Sequence, residues 1–443
     1  MSLGSAQPVD VSDDDLSSQE DACDLSEEDL LKLNPFTMAN FSKQRFRYMA
    51  LFDMEKWVSK FGGSTFPTAS DKVSEAEALA LQHFYQEGCC GQHHKITPED
   101  KEALDQLHKK IGALLEQLQA STGDQGFFVR LGPRSPKDAP QMVSQWGISE
   151  SRIKAALRAV DAASTIQAAR EGGGDVSEVL RVFQSVCHSL QRLSSADEAI
   201  ALLVTSARVM QDISHALDQR DGGWDISVLA RTWDDEVAME REFRTFVVSG
   251  QVVAISQYDD QLCYPFVQQN ADQIVAVILR DFEALVRPCL QQAGFASPSV
   301  AVVVDFLVVP GKSVRDAGGE GDGSGVTEDD DWHARLIELN PFGPMTGASL
   351  FCWRADRRLL QGREDLFGDL ADAAKLSTQG QPTLREGVAE TRVCGVPFRY
   401  VDRALGCSWH ALDAFWEDYL RLGSIDSPDV RGAPIAERKC CVQ

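Results

Sequence analysis

The sequence predicts an α+β chain in which helices and strands are mixed without the strict alternation of a doubly wound sheet. Three observations carry this. A helical stretch runs from about Ser149 to Asp218, β-rich runs follow one another after it, and the last of these gives way to a further helix. The runs are DISVLARTW, EFRTFVVSGQVVAISQYD, SVAVVVDFLVVP and ARLIELNPFG. The closing helix is SWHALDAFWEDYLRLG, with Trp409, Leu412, Trp416 and Leu420 on one face.

The elements justify themselves in chain order. Between Met1 and Pro35 ten acidic side chains face one lysine, too polar a composition to offset ordering entropy, so residues 1–45 are expected to form a disordered acidic tail. Residues 46–225 are expected to form an N-terminal lobe with a helical insertion. In it, Ser74 caps a helix carrying Leu79, Leu81 and Phe84. Thr97, Pro98 and Asp100 start a second, whose Leu104, Leu107, Ile111, Leu114, Leu115 and Leu118 keep helical spacing. GFFVRLGPRSPKDAP begins as a strand and breaks at Gly132 and Pro133. Ser249 and Gly250 between two apolar runs signal a hairpin. The Gly- and acid-rich stretch from Gly311 to Asp331 reads as an exposed insertion between two strands. Residues 361–430 are expected to form a C-terminal helical region and 431–443 a flexible tail.

Composition narrows function. The chain of 443 residues carries a net charge of −24, so its surface repels phosphate backbones and general nucleic-acid binding is not expected. The longest apolar run, Val300 to Val309, is interrupted by Asp305 and too short to span a bilayer. Eleven cysteines at irregular spacings and a polar, acidic start suit reduced thiols in the cytoplasm. Cys89, Cys90, His93 and His94 read as a polar loop rather than a zinc site, because no second Cys or His pair lies at finger-like spacing. Cys440 and the three residues after it fit a C-a-a-X prenylation signal, which would give weak, reversible membrane association; a chance C-terminal cysteine is the alternative.

The candidate chemistry lies in the β-rich part. Asp305 sits inside VAVVVDFLVV, while Glu338 and Asn340 lie two apart in RLIELNPF and so share a face of one strand. A carboxylate within a buried run is costly unless paired or coordinated. Oxygen-only ligation by Asp305, Glu338 and Asn340 would suit Mg2+, which takes its remaining oxygens from water and phosphate. The other reading is that Asp305 pairs with an arginine and Glu338 faces solvent. Arg130, Lys137 and Arg244 are candidate phosphate contacts. No Walker loop and no dinucleotide-binding GxGxxG is present, so any nucleotide is held by sheet side chains.

These same residues resemble the cell division cycle protein 123 family. The motif from Arg130 to Ala139, with its SPKDA turn, looks like that family's strand and turn. EFRTFV is close to its EFRCFV, AISQYD to its ISQRD, LIELNPFG to its LIDFNPFG, and Asp305 falls at its strand Asp. Leu229 to Trp233 looks like its hinge strand. The likeness runs from about residue 54 to 356.

The resemblance implies an ATP-grasp-like fold, two β-containing lobes clamping a nucleotide, with residues 226–360 as the nucleotide and magnesium lobe. It further implies binding of ATP and Mg2+ and a role in assembling translation initiation factor 2 through its gamma subunit. Carried over residue by residue, Asp305, Glu338 and Asn340 would hold magnesium and Arg130 and Arg244 would contact phosphates, with Lys137 beside them. Arg231, Thr232 and Trp233 would line the adenine pocket. An ATP-grasp ligase or kinase-like enzyme with an unidentified acceptor is the alternative to an assembly chaperone. Arg130, which stands for the usual lysine, Gly132 to Arg134, Tyr258 and Glu338 depart from the family pattern.

Overall fold

In the computed structural model, the described residues are 25–36, 38, 43–90, 95–123, 126–139, 150–161, 165, 176–219, 224–297, 300–310, 332–361 and 384–403. His93, His94, the 311–331 stretch, the helix expected at 408–423 and Cys440 lie outside them.

Two sheets form the frame. The first is antiparallel with strand order β1-β3-β2, formed by β1 (Thr68–Val73), β2 (Phe127–Leu131) and β3 (Ile226–Thr232). Strand 226–232, expected to open the second lobe, therefore lies at the centre of the first sheet. Against this sheet packs α5 (Pro98–Thr122), and α4 (Glu75–Gly88) lies on α5; both follow α1 (Glu27–Leu31), α2 (Lys43–Ala50) and α3 (Met54–Trp57) in the chain. Both long helices start as their sequences require. Ser74 with Glu77, and Thr97 with Asp100, form reciprocal capping boxes, and Gly123 takes the left-handed conformation that ends α5.

The second sheet has order β7-β6-β4-β5-β9-β8: β4 (Glu242–Val248), β5 (Gln251–Gln257), β6 (Ala301–Val309), β7 (His333–Pro341), β8 (Val388–Val393) and β9 (Val396–Val401). Ser249 and Gly250, both at positive φ, turn β4 into β5 as the hairpin signal predicts. The β8–β9 hairpin occupies a region read from sequence as helical, and β9 joins β5 in parallel.

Every residue of β4 and β6 is buried, so both faces of the sheet are covered. Alternate residues separate the two sides. Phe243, Val247, Val302, Val304, Phe306 and Val308 belong to the large core that includes the helix Pro265–Asp281. Phe246, Val248, Ala301 and Val303 join a second cluster with Phe342, Phe351 and Leu360. By this alternation Arg244 and Asp305 project from the second face.

On β7 the same alternation would fail without one irregularity. Ala334 and Leu336 pack into the large core, which would send Glu338 and Asn340 there as well. Asp305 instead pairs with Glu338 and Phe306 with Leu336, leaving Ile337 as an extra residue between them. This bulge reverses the parity: Leu339 returns to the core, and Glu338 and Asn340 reach the face of Asp305.

The acidic N-terminal segment is ordered in part. Leu30 and Leu31 of α1 are buried, and Phe36 packs edge-on against Phe342 and Trp353. Pro35 sits against Gly343, whose φ of 109° only glycine takes without strain. An apolar stripe this short orders because the body of the protein supplies its other half.

Candidate functional site

Arg244 and Asp305 lie directly opposite each other on β4 and β6. The guanidinium is bidentate on the carboxylate, Nε to Oδ1 at 2.9 Å and Nη2 to Oδ2 at 2.7 Å, while Nη1 donates to the Gly347 carbonyl at 2.6 Å. Asn340 Nδ2 donates to Asp305 Oδ2 at 2.9 Å. From the first sheet, Arg130 Nη2 reaches Glu338 Oε1 at 2.7 Å, its Nε held by the Leu131 carbonyl at 2.9 Å. Of the two readings left open for Asp305, its pairing with an arginine is what the structure contains, but Glu338 does not face solvent. It bridges the sheets.

Lys137, in the SPKDA turn, lies 3.7 Å from Glu242 and 4.8 Å above the Tyr258 ring, with Arg244 on that ring at 4.9 Å. Burial works against its charge, but Glu242, Tyr258 and Glu338 outweigh burial and hold the ammonium above its ordinary range. Burial likewise pushes Glu338 up, and Arg130 and Lys137 pull it net below the usual carboxylate value. Arg244 is held above its ordinary range against burial by Asp305. Three cations, Arg130, Lys137 and Arg244, thus meet three carboxylates, Glu242, Asp305 and Glu338. The cations are concentrated here in a strongly acidic chain, which favours an anion over the rest of the surface.

The adenine-lining residues divide. Arg231 is committed elsewhere: Nη1 donates to the Ile337 carbonyl at 2.8 Å and Nη2 to Thr65 Oγ1 at 2.7 Å. Burial, then the nearby charge of Arg130, take its pKa down to about 9. Its role is to tie β3 to the bulged residue of β7, so its side chain supports the site rather than lining a base pocket. Thr232 is buried at the end of β3. Trp233 follows it, bonded to Asp235 Oδ1 at 2.9 Å and tilted against the His188 ring at 4.8 Å. Sequence reasoning missed His188, Glu242 and Gly347. Only Glu242 left a signal, a carboxylate opening a strand that is buried throughout and also carries Arg244.

Two carboxylates and an amide converge at Asp305, Glu338 and Asn340, a hard oxygen set that fits magnesium. Asn340 would have to present its amide oxygen rather than the nitrogen now on Asp305. Among the described residues, no group of three or more His, Cys, Asp or Glu is placed to hold a metal ion. Nor, among those residues, is any helix long and apolar enough to cross a membrane.

Residues 185–386 match the family described as D123. A curated relative from Schizosaccharomyces pombe (strain 972 / ATCC 24843), named translation initiation factor eIF2 assembly protein, is 27% identical over 172 residues, 37% of this chain and 44% of the relative. The chain therefore matches less than half of that relative's length. Structures of Cdc123 and of C-terminally truncated Cdc123 from Schizosaccharomyces pombe are similar at 18% identity and a TM-score of 0.41, over 76% of this chain and 94% of each of theirs. The matched segment takes in the strands that carry Arg231, Arg244, Asp305, Glu338 and Asn340.

Proposed function

We propose that this chain is an ATP- and magnesium-binding assembly protein, built on an ATP-grasp-like pair of sheets, that acts on eIF2 through its gamma subunit. The observation that carries the nucleotide part is the meeting of Arg130 from one sheet with Glu338 from the other, beside Arg244, Lys137, Asp305 and Asn340. Support for the assembly part comes from the D123 match and from the relative's name.

Arg130 and Arg244 would neutralise phosphate oxygens, which a guanidinium meets bidentately, and Lys137 would add a point charge. Asp305, Glu338 and Asn340 would hold magnesium, which when bound screens the charge between phosphates. The two arginines can release their carboxylates to a cation only if phosphate oxygens take the carboxylates' place. Otherwise buried charges are left unpaired. Uptake of cation and phosphate is therefore coupled. Since Arg130 and Glu338 also join the sheets, the exchange changes how the sheets are held, giving a route from nucleotide to docking surface.

Affinity purification of the full chain from native cells, read by mass spectrometry with and without added Mg-ATP, tests the assembly role. The gamma subunit of eIF2 is expected to be enriched, more so with nucleotide. Its absence from both samples would remove the assembly reading, and an enzyme with its own acceptor would take its place.

A further inference from the structure

Residues 25–36 lie outside the segment that matches the D123 family, yet they reach the support of the site. Helix α1 has five residues, too few to persist alone. What holds the segment is Leu30 and Leu31 in the large core and, after the turn made by Asn34, Pro35 on Gly343 and Phe36 in an aromatic socket. In that socket the Phe36 ring centroid lies 6.3 Å from that of Phe342 and 5.9 Å from that of Trp353, and the Arg357 guanidinium covers it at 4.6 Å. A short element held by a few side chains belongs to the low-stability end of a fold and can open without global unfolding.

From the socket a continuous set of contacts runs to the site. Trp353 Nε1 donates to the Thr346 carbonyl at 2.6 Å. Thr346 closes the turn after β7, its N–H on the Gly343 carbonyl at 3.0 Å and its hydroxyl on the Pro341 carbonyl at 2.5 Å. The next carbonyl along the chain, that of Gly347, accepts from Arg244 Nη1 at 2.6 Å, while the other two nitrogens of this guanidinium are on Asp305. The Gly347 carbonyl is thus the hydrogen bond that Arg244 can keep when phosphate oxygens replace Asp305.

Resting on the nucleotide reading above, we propose that Pro35 and Phe36 form a latch for the site. Docked, they hold Trp353 and, through Thr346, the Gly347 carbonyl that orients Arg244. Undocked, they release the loop from Gly343 onward, and Arg244 loses that orientation. Phe36 and Trp353 are then positioning residues. Docking of the segment and occupancy of the phosphate site are linked: the factor that docking adds to Mg-ATP affinity is the factor that Mg-ATP adds to docking.

Calorimetric titration of Mg-ATP into the full chain, with cooperative thermal melting as the check on folding, tests one direction of this linkage. Phe36→Ala should weaken Mg-ATP about fivefold or more. Phe36→Tyr keeps a ring for Trp353 and Arg357 and should bind as wild type does. Trp353→Phe keeps the aromatic contact and removes the N–H on Thr346, so it should weaken Mg-ATP to a similar extent, and adding Phe36→Ala to it should weaken binding little further. Hydrogen exchange of the wild-type chain tests the other direction and carries the test if a variant does not fold: Mg-ATP should slow exchange at residues 33–36 by about the same factor. Unchanged Mg-ATP affinity in folded Phe36→Ala, or exchange at 33–36 that is indifferent to Mg-ATP, overturns the latch and leaves the nucleotide site standing. If wild type does not bind Mg-ATP, the nucleotide reading itself falls, and the latch with it.

Discussion

Two arginine–carboxylate pairs meet at the site, and they are built differently. Arg244 and Asp305 are register partners within one sheet, with side chains 8% and 2% exposed. Arg130 and Glu338 belong to different sheets, at 3% and 17%. The first pair forms whenever β4 and β6 align, so it is part of the fold. The second forms only when the two sheets sit correctly, and its carboxylate keeps some water. A ligand entering between the sheets meets the second pair first. The comparison teaches that similar chemistry is fixed in one place and exchangeable in the other.

The largest expected effect breaks that contrast directly. Arg244→Leu leaves Asp305 buried without its cation, held only by the Asn340 amide, and should cost about 3–5 kcal/mol in chemical denaturation. Replacing both partners by leucine should recover most of this. Arg130→Leu should cost less, roughly 1–2 kcal/mol, since Glu338 keeps Lys137 nearby and partial hydration. Equal losses for the two single variants would mean that the pairs do not differ as described.

A smaller effect sharpens the comparison through pH. Glu338 is held below its ordinary range, so its contribution is present above the unfolded carboxylate pKa and lost only as pH falls through the lower folded value. The Arg130–Glu338 pair should therefore leave stability unchanged between pH 7 and 5.5. His188, whose folded pKa is about 4, should change it. In that window the unfolded chain binds a proton at His188 and the folded chain does not, so stability falls with pH, by about 1 kcal/mol. Denaturation of wild type against His188→Phe at the two pH values isolates this term. Equal slopes would show that His188 is not a buried neutral ring.

Much of this arrangement was legible in the sequence, for physical reasons that differ between elements. The capping boxes at Ser74 and Thr97 and the Ser249-Gly250 turn act within a few residues, so their signals are local. Asp305 stood out because a carboxylate in a buried run demands a partner. The bulge at Ile337 was not legible, since it is defined by pairing with β6, although it alone brings Glu338 and Asn340 to the site. β1 was missed because TASDKV exposes three of its six residues at the sheet edge.

The tetrapeptide LNPF occurs twice and shows the limit of a local reading. At Leu33–Phe36 the Asn34 side chain accepts from the Phe36 backbone N–H at 3.0 Å and turns the chain. At Leu339–Phe342 the Asn340 side chain instead donates to Asp305. The two copies then touch through Phe36 and Phe342. The same four residues make a turn in one place and a candidate ligand in the other, because only the second has a paired strand beside it.

The central claim is that carboxylates and arginines at the sheet junction take up magnesium and phosphate together. Calorimetric titration of ATP into wild type and Glu338→Gln, each in excess magnesium and in excess chelator, tests it most directly. The substitution preserves shape and an oxygen for Arg130 while removing one ligand charge. The account predicts ATP binding to wild type that weakens at least about tenfold on chelation, and a Glu338→Gln protein that melts cooperatively yet has lost most of its affinity in magnesium. Unchanged affinity of Glu338→Gln in excess magnesium would contradict it.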